Sequence, residues 1–115
     1  MKTPILDVRF FATESGNEPV RDWLKALPAS ERRKIGEDIK TVQFGWPLGM
    51  PLVRKLAKDL WEVRIHLADR IARVLFTVVG HTMMLLHAFI KKSQATPADE
   101  LEVGKRRLQQ LRSSA

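Results

Sequence analysis

The residues of this sequence whose types and spacing most directly suggest chemistry are Arg64 and Arg73. Between Leu60 and Leu67, the side chains of Trp61, Val63, Ile65 and Leu67 alternate with Glu62, Arg64 and His66, the period of a half-buried antiparallel strand. Ala68-Asp69 is a two-residue turn candidate, and Ile71 to Val79 reads as the returning strand. With that turn Leu67 faces Arg70, and Arg64 falls directly opposite Arg73 on one face. Opposed like charges weaken a sheet unless solvent or an anion lies close. Two guanidiniums can grip one phosphate through paired hydrogen bonds. The competing arrangement is purely architectural, with each arginine paired to Glu62, Asp59 or Asp69.

Other titratable groups lie within reach of that pair. Lys55 and Lys58 precede the first strand, and Lys91-Lys92 closes a third strand running from Met83 to Lys91. A two-residue Gly80-His81 loop puts Arg73 opposite Ala88, which places Lys92, rather than Lys91, on the arginine face. A one-residue slip exchanges them. Ala72, Val74, Phe76 and Val78 form the more apolar face, so Lys92 is the first choice and Lys91 the second. His66 shares the face of Arg64, and histidine is the residue type suited to shuttling a proton. His87, in an apolar strand, reads as a hydrogen-bonded core histidine, and His81 as a turn residue. The catalytic candidates are therefore Arg64, Arg73, Lys92, Lys91, Lys55 and His66.

No cofactor or metal is expected. The chain has three histidines, widely separated, and no cysteine, so metal-ligand spacing is lacking and disulfides are excluded. There is no nucleophile-elbow or glycine-rich phosphate-loop pattern. Trp23 and Trp61 fit core positions. Trp46, in Gly45-Trp46-Pro47, could stack on a base, with packing of its own loop the stronger reading.

The elements that must carry these residues are legible in outline. Ile5 to Phe11 has strand composition, and Ser15-Gly16-Asn17 is a turn. Asn17 can cap a helix with Pro19 in its first turn and Val20, Trp23, Leu24 and Leu27 on one face. After Pro28, Ser30 can cap a second helix carrying Ile35, Ile39 and Val42. The two form an antiparallel hairpin on one sheet face. Thr96-Pro97-Ala98-Asp99 starts a final helix with the stripe Leu101, Leu108 and Leu111, acids at its start and bases at its end. The expected order is β-α-α-β-β-β-α, an α+β fold with a small antiparallel sheet.

With 115 residues the chain has room for one domain, taken as 1–115, and enough length to build a core without staples. The net charge of +7 is uneven: residues 1–50 carry 8 basic and 7 acidic side chains, residues 51–115 carry 12 and 6. That asymmetry suggests a polyanion or an acidic protein meeting one side of the fold, against the plain alternative of a solvated basic surface. The start is unlike a signal peptide, and the longest apolar run is broken by Thr77, Gly80, His81 and Thr82. The expectation is a cytoplasmic protein without membrane contact, in keeping with the absence of cysteine.

Lys55-Leu56, Leu60-Trp61-Glu62-Val63-Arg64, Arg73-Val74-Leu75-Phe76, Leu85 to Lys92, and Thr96-Pro97 followed by Glu100 occur in order. Together they resemble the phage-derived, HigB-like branch of the RelE/ParE superfamily of bacterial type II toxins, over Val8 to Leu108. The resemblance implies a RelE-like sheet backed by a helical hairpin, with a concave basic face. It implies a toxin that cleaves messenger RNA, often on the ribosome, silenced by a cognate antitoxin of the helix-turn-helix, HigA-like kind. Operator DNA would be met only through the antitoxin complex. The basic positions that map are Lys55, Arg64, Arg73 and Lys91-Lys92. Relatives that use a tyrosine near the strand end have no counterpart here, because the chain lacks tyrosine. The expected reaction is metal-free attack of a ribose 2′-hydroxyl on the adjacent phosphate, with arginines stabilising charge and Lys92, Lys55 or His66 moving protons. The competing expectations are a ParE-like toxin that poisons DNA gyrase by binding, and a non-toxic basic domain that binds nucleic acid.

Overall fold

The computed structural model describes residues 3–91 and 95–114. In chain order its elements are β1 (Asp7–Phe10), α1 (Pro19–Lys25), α2 (Ala29–Gly45), β2 (Val53–Ala57), β3 (Leu60–His66), β4 (Ile71–Val79), β5 (Thr82–Lys91) and α3 (Ala98–Ser113). The five strands form one sheet in the order β1-β5-β4-β3-β2. The expected α+β architecture is present, with two differences. The sheet is mixed, because β1 runs parallel to β5 while every other pair is antiparallel. An additional strand, β2, stands where the sequence suggested only a basic approach to β3. It is joined to β3 through Lys58-Asp59, where Asp59 adopts a left-handed conformation at φ 58°. Aspartate tolerates that region, but the pair lacks the Asn-Gly or Asp-Gly signature that announces such a hairpin.

Strand alternation divides the core into two layers. On one side Val20, Ile35, Ile39 and Val42 of the helical hairpin pack on Val63, Ile65, Ala72, Val74 and Phe76. On the other side Leu101, Leu108 and Leu111 of α3 pack with Leu60, Leu75 and Phe89. The expected stripe of α3 is thus its sheet-facing side. Gly104 lets the helix sit close: a Cβ there would stand 2.7 Å from a methyl of Leu75.

Each helix starts slightly away from its expected cap. Glu18, Pro28 and Pro97 occupy the N-cap positions of α1, α2 and α3, and none makes a side-chain cap bond. Asn17 bonds Ser15 instead, and the Thr96 hydroxyl is drawn to a buried carboxylate. At Asn17 a competing local turn bond, and at Thr96 a tertiary partner, takes the place of the cap.

The β3–β4 hairpin follows the expected register: Arg64 lies opposite Arg73, and Leu67 N–H donates to Arg70 O at 2.9 Å. The β4–β5 hairpin begins as expected at Gly80-His81, with Val79 opposite Thr82. A bulge then intervenes. Phe76 faces Leu85 but Leu75 faces His87, so Leu86 is the extra residue. Beyond it Arg73 lies opposite Phe89, not Ala88, and Ile71 opposite Lys91. The face assignment made from the unbulged register is therefore corrected: Lys91 falls on the arginine face. Lys92 lies outside the described residues.

Candidate functional site

The arginine face is built on three adjacent strands. Glu62 of β3 pairs with Arg54 of β2 and with Leu75 of β4, and Arg64 pairs with Arg73. Arg54, Glu62, Arg64 and Arg73 therefore project from one side of the sheet, the side that α3 partly covers. Glu62 and Arg73 are both fully buried. Arg64 keeps 11% of its side chain exposed, and Arg54 is exposed.

One carboxylate organises the group. Glu62 Oε2 accepts a 2.7 Å hydrogen bond from the Thr96 hydroxyl and lies 3.8 Å from Arg73 Nη1. Glu62 Oε1 lies 3.7 Å from Arg64 Nε. Arg73 Nη1 also donates to Thr96 Oγ1 at 3.4 Å. Burial holds the Arg73 guanidinium below the usual arginine range. Glu62 opposes that shift, and the neighbouring charges of Arg64 and Arg54 add to it. The architectural arrangement of the opposed arginines is present: each is within ion-pair distance of Glu62. Arg54, Arg64 and Arg73 together outnumber that one carboxylate.

The other candidates are distributed around this centre. His66, exposed at the end of β3, is on the arginine face opposite Ile71. Lys91, exposed, flanks Ile71 on the other side. Lys55 pairs with Trp61 and lies on the opposite face, its ammonium 6.0 Å from the Trp61 ring centroid. The sheet itself separates it from Arg64 and Arg73. Trp46 packs edge-on against Trp61 and Phe76, at 5.0 and 5.5 Å between ring centroids, so its ring is engaged in the core beneath its loop.

His87 has both ring nitrogens engaged. Nε2 is 2.9 Å from Glu100 Oε1, and Arg107 Nη1 is 3.3 Å from Nδ1. Arg107 also donates to the carbonyl of Leu86 at 2.9 Å, so α3 fastens the bulge that sets the register of Lys91. Burial lowers the Arg107 guanidinium below its usual range, and Arg106 adds to the effect. Elsewhere Arg70 of the β3–β4 turn donates to Glu31 of α2 at 2.6 Å.

Three members of the constellation were not singled out from sequence. Arg54 depended on recognising β2. Glu62 was read only as a possible ion-pair partner; its complete burial and its bond to Thr96 involve residues distant in the chain. Thr96 was read as a helix cap, an equally local role.

Chemically, Arg54 and Arg64 at the rim of a buried carboxylate can bind an oxyanion, while Arg73 is sealed behind them. His66 and Lys91 of the same face are also exposed to solvent. Among the described residues no helix is long and apolar enough to cross a membrane. A family model described as "Phage derived protein Gp49-like (DUF891)" matches residues 22–109, which takes in the second half of α1, all of α2, the arginine face and most of α3. No curated protein matches the chain.

Proposed function

The chain belongs to the phage-derived Gp49-like family, and from that premise we propose that it is the toxin of a toxin–antitoxin pair and cleaves messenger RNA. The observation that supports this reading is the arrangement of Arg54 and Arg64 on neighbouring strands beside the buried Glu62–Arg73 pair. Family resemblance of the ordered motifs from Lys55 to Glu100 supports the toxin class.

In the proposed reaction a ribose 2′-hydroxyl loses its proton and attacks the adjacent phosphorus. The bond to the 5′-oxygen breaks, that oxygen is protonated, and a 2′,3′-cyclic phosphate remains. Arg64, with Arg54, would bear on the non-bridging oxygens, where a well-placed donor contributes about 10²–10³ in rate. Proton transfers fall to His66 and Lys91, contributing about 10²–10⁴. Arg73 supports this site from behind, because it is inaccessible to solvent. Translated messages on the ribosome are the proposed substrate. The proposed silencing partner is a helix-turn-helix antitoxin whose acidic segment lies over this basic face.

A second reading, a non-enzymatic toxin that binds DNA gyrase, draws on one feature of the site. The innermost guanidinium is closed to solvent and both nitrogens of His87 are engaged, which suits a binding surface as well as a catalytic one. Growth and message integrity after induced expression separate the two, with Arg64→Ala as the comparison. Arrest with in-frame cleavage of translated messages, lost in Arg64→Ala, is the expected result. Arrest with intact messages and damaged DNA would transfer the proposal to the gyrase reading. No arrest from the wild-type chain would remove both.

A further inference from the structure

The geometry points to Glu62 as the positioning residue of the candidate phosphate site, presetting Arg64 toward the rim while anchoring Arg73 and the start of α3 behind it. This inference rests on the RNA-cleaving reading for its functional consequence, but its structural content stands apart from it.

A buried carboxylate is costly unless its charge and lone pairs are compensated. Glu62 is completely buried, yet its two oxygens are used differently. Oε2 is held on the inner side by the Thr96 hydroxyl at 2.7 Å and by Arg73 at 3.8 Å. Oε1 lies 3.7 Å from Arg64 Nε, beyond hydrogen-bond length, and has no hydrogen-bond partner among the described residues. One oxygen is thus tethered and the other faces the guanidinium that approaches solvent.

Charge and direction separate here. As an anion beside Arg54, Arg64 and Arg73, Glu62 lowers the positive potential that a phosphate meets, so it weakens raw attraction. As a fixed carboxylate it limits the orientations of Arg64, which is what a developing negative charge on phosphate oxygens requires. A group that only maintains the fold would not divide binding from cleavage in this way.

The test compares wild type with Glu62→Gln, which keeps shape and can still accept from Thr96. Arginine Nε–Hε resonances report the geometry without any RNA. Affinity is read with a labelled oligoribonucleotide carrying a 2′-deoxy sugar at the scissile position, and cleavage with its all-ribose counterpart. The expected result is that the Arg64 resonance shifts away from its wild-type position in Glu62→Gln. Binding of the uncleavable oligonucleotide tightens a few-fold, and single-turnover cleavage falls by about a hundredfold. Thr96→Val, which releases Oε2 while keeping the carboxylate, should move the same resonance and lower cleavage less. It also serves if Glu62→Gln does not fold.

An Arg64 resonance unchanged in every folded variant would overturn the inference, whatever the RNA assays give. Equal losses of binding and cleavage would likewise overturn it, assigning Glu62 to the fold alone. If the wild type neither binds nor cleaves the oligonucleotide while the Arg64 resonance responds as expected, the RNA reading fails and the positioning by Glu62 stands.

Discussion

Arg73 illustrates how a residue chosen for its charge can serve by being enclosed. Its guanidinium is fully buried, at ion-pair distance from an equally buried carboxylate and within reach of the Thr96 hydroxyl. Removing one partner of such a pair strands the other charge and costs about 3–5 kcal/mol, whereas replacing both with apolar side chains of similar volume is often neutral. Arg73→Ala is therefore expected to lower the unfolding free energy in urea by about 3 kcal/mol or more. The double variant Glu62→Leu/Arg73→Met should lose less than that single substitution. If Arg73→Ala leaves stability unchanged, the ion pair is not what holds this part of the interior. Loss of activity in Arg73→Ala alone is consequently a poor reporter of chemistry. Arg64→Ala is the cleaner probe, because part of that side chain still meets solvent.

At the scale of elements, α3 does more than cover the second face of the sheet. Thr96, just ahead of it, reaches Glu62; through Glu100 and Arg107 the helix engages His87, and through Arg107 it holds the carbonyl of the bulge residue Leu86. Its close approach depends on Gly104, where an added methyl group would meet Leu75 at 2.7 Å and Leu60 at 3.7 Å. Two effects oppose one another in Gly104→Ala. Helix propensity favours alanine by about 1 kcal/mol, while overpacking a filled interior costs about 1–3 kcal/mol. The neighbour is a fully buried leucine in the middle of the sheet with little room to withdraw, so the clash is expected to win. A net loss of about 1 kcal/mol in thermal or urea unfolding is the predicted outcome. A more stable Gly104→Ala protein would show that α3 shifts outward at little cost.

For the whole molecule, three layers divide the labour. The helical hairpin packs on one face of the sheet and Lys55 remains on that side, over Trp61. The opposite face carries α3 and the arginines. Of the basic residues on the strands of the second half, Lys55 lies on the hairpin side and Arg54, Arg64, Arg73 and Lys91 on the other. Under the RNA reading, the electrostatic part of binding should depend on the rim cations of a single face. Each neutralised single-strand phosphate contributes about 0.7 to the slope of log affinity against log salt. Arg54→Ala and Arg64→Ala are each expected to reduce that slope by about 0.7, with Lys55→Ala having little effect. The measurement is affinity for an uncleavable oligoribonucleotide across a salt series. An equal reduction for Lys55→Ala would mean that RNA wraps around the edge strand β2 to reach both faces.

The sequence by itself determined the parts governed by short-range periodicity. Alternation from Leu60 to Leu67 specified β3, and the two-residue turn at Ala68-Asp69 was enough to set Arg64 opposite Arg73, because pairing across a tight hairpin is counted from its turn. The stripe of α3 and the hydrogen-bonded state of His87 were likewise legible from neighbours along the chain. What tertiary structure decided were the features that need a distant partner. The bulge at Leu86 is held by Arg107 from another element, and it moved Lys91 onto the arginine face. Strand β2 hid behind an Asp59 turn without glycine, so neither the neighbouring position of Arg54 nor the displacement of Lys55 to the other face was visible. The parallel pairing of β1 with β5 joins segments far apart in the sequence, where no local pattern encodes direction. The complete burial of Arg73 and Glu62, with Thr96 from a distant part of the chain bonded between them, is likewise tertiary. A charge pattern specifies which groups share a face, but its degree of desolvation is a property of everything packed above it.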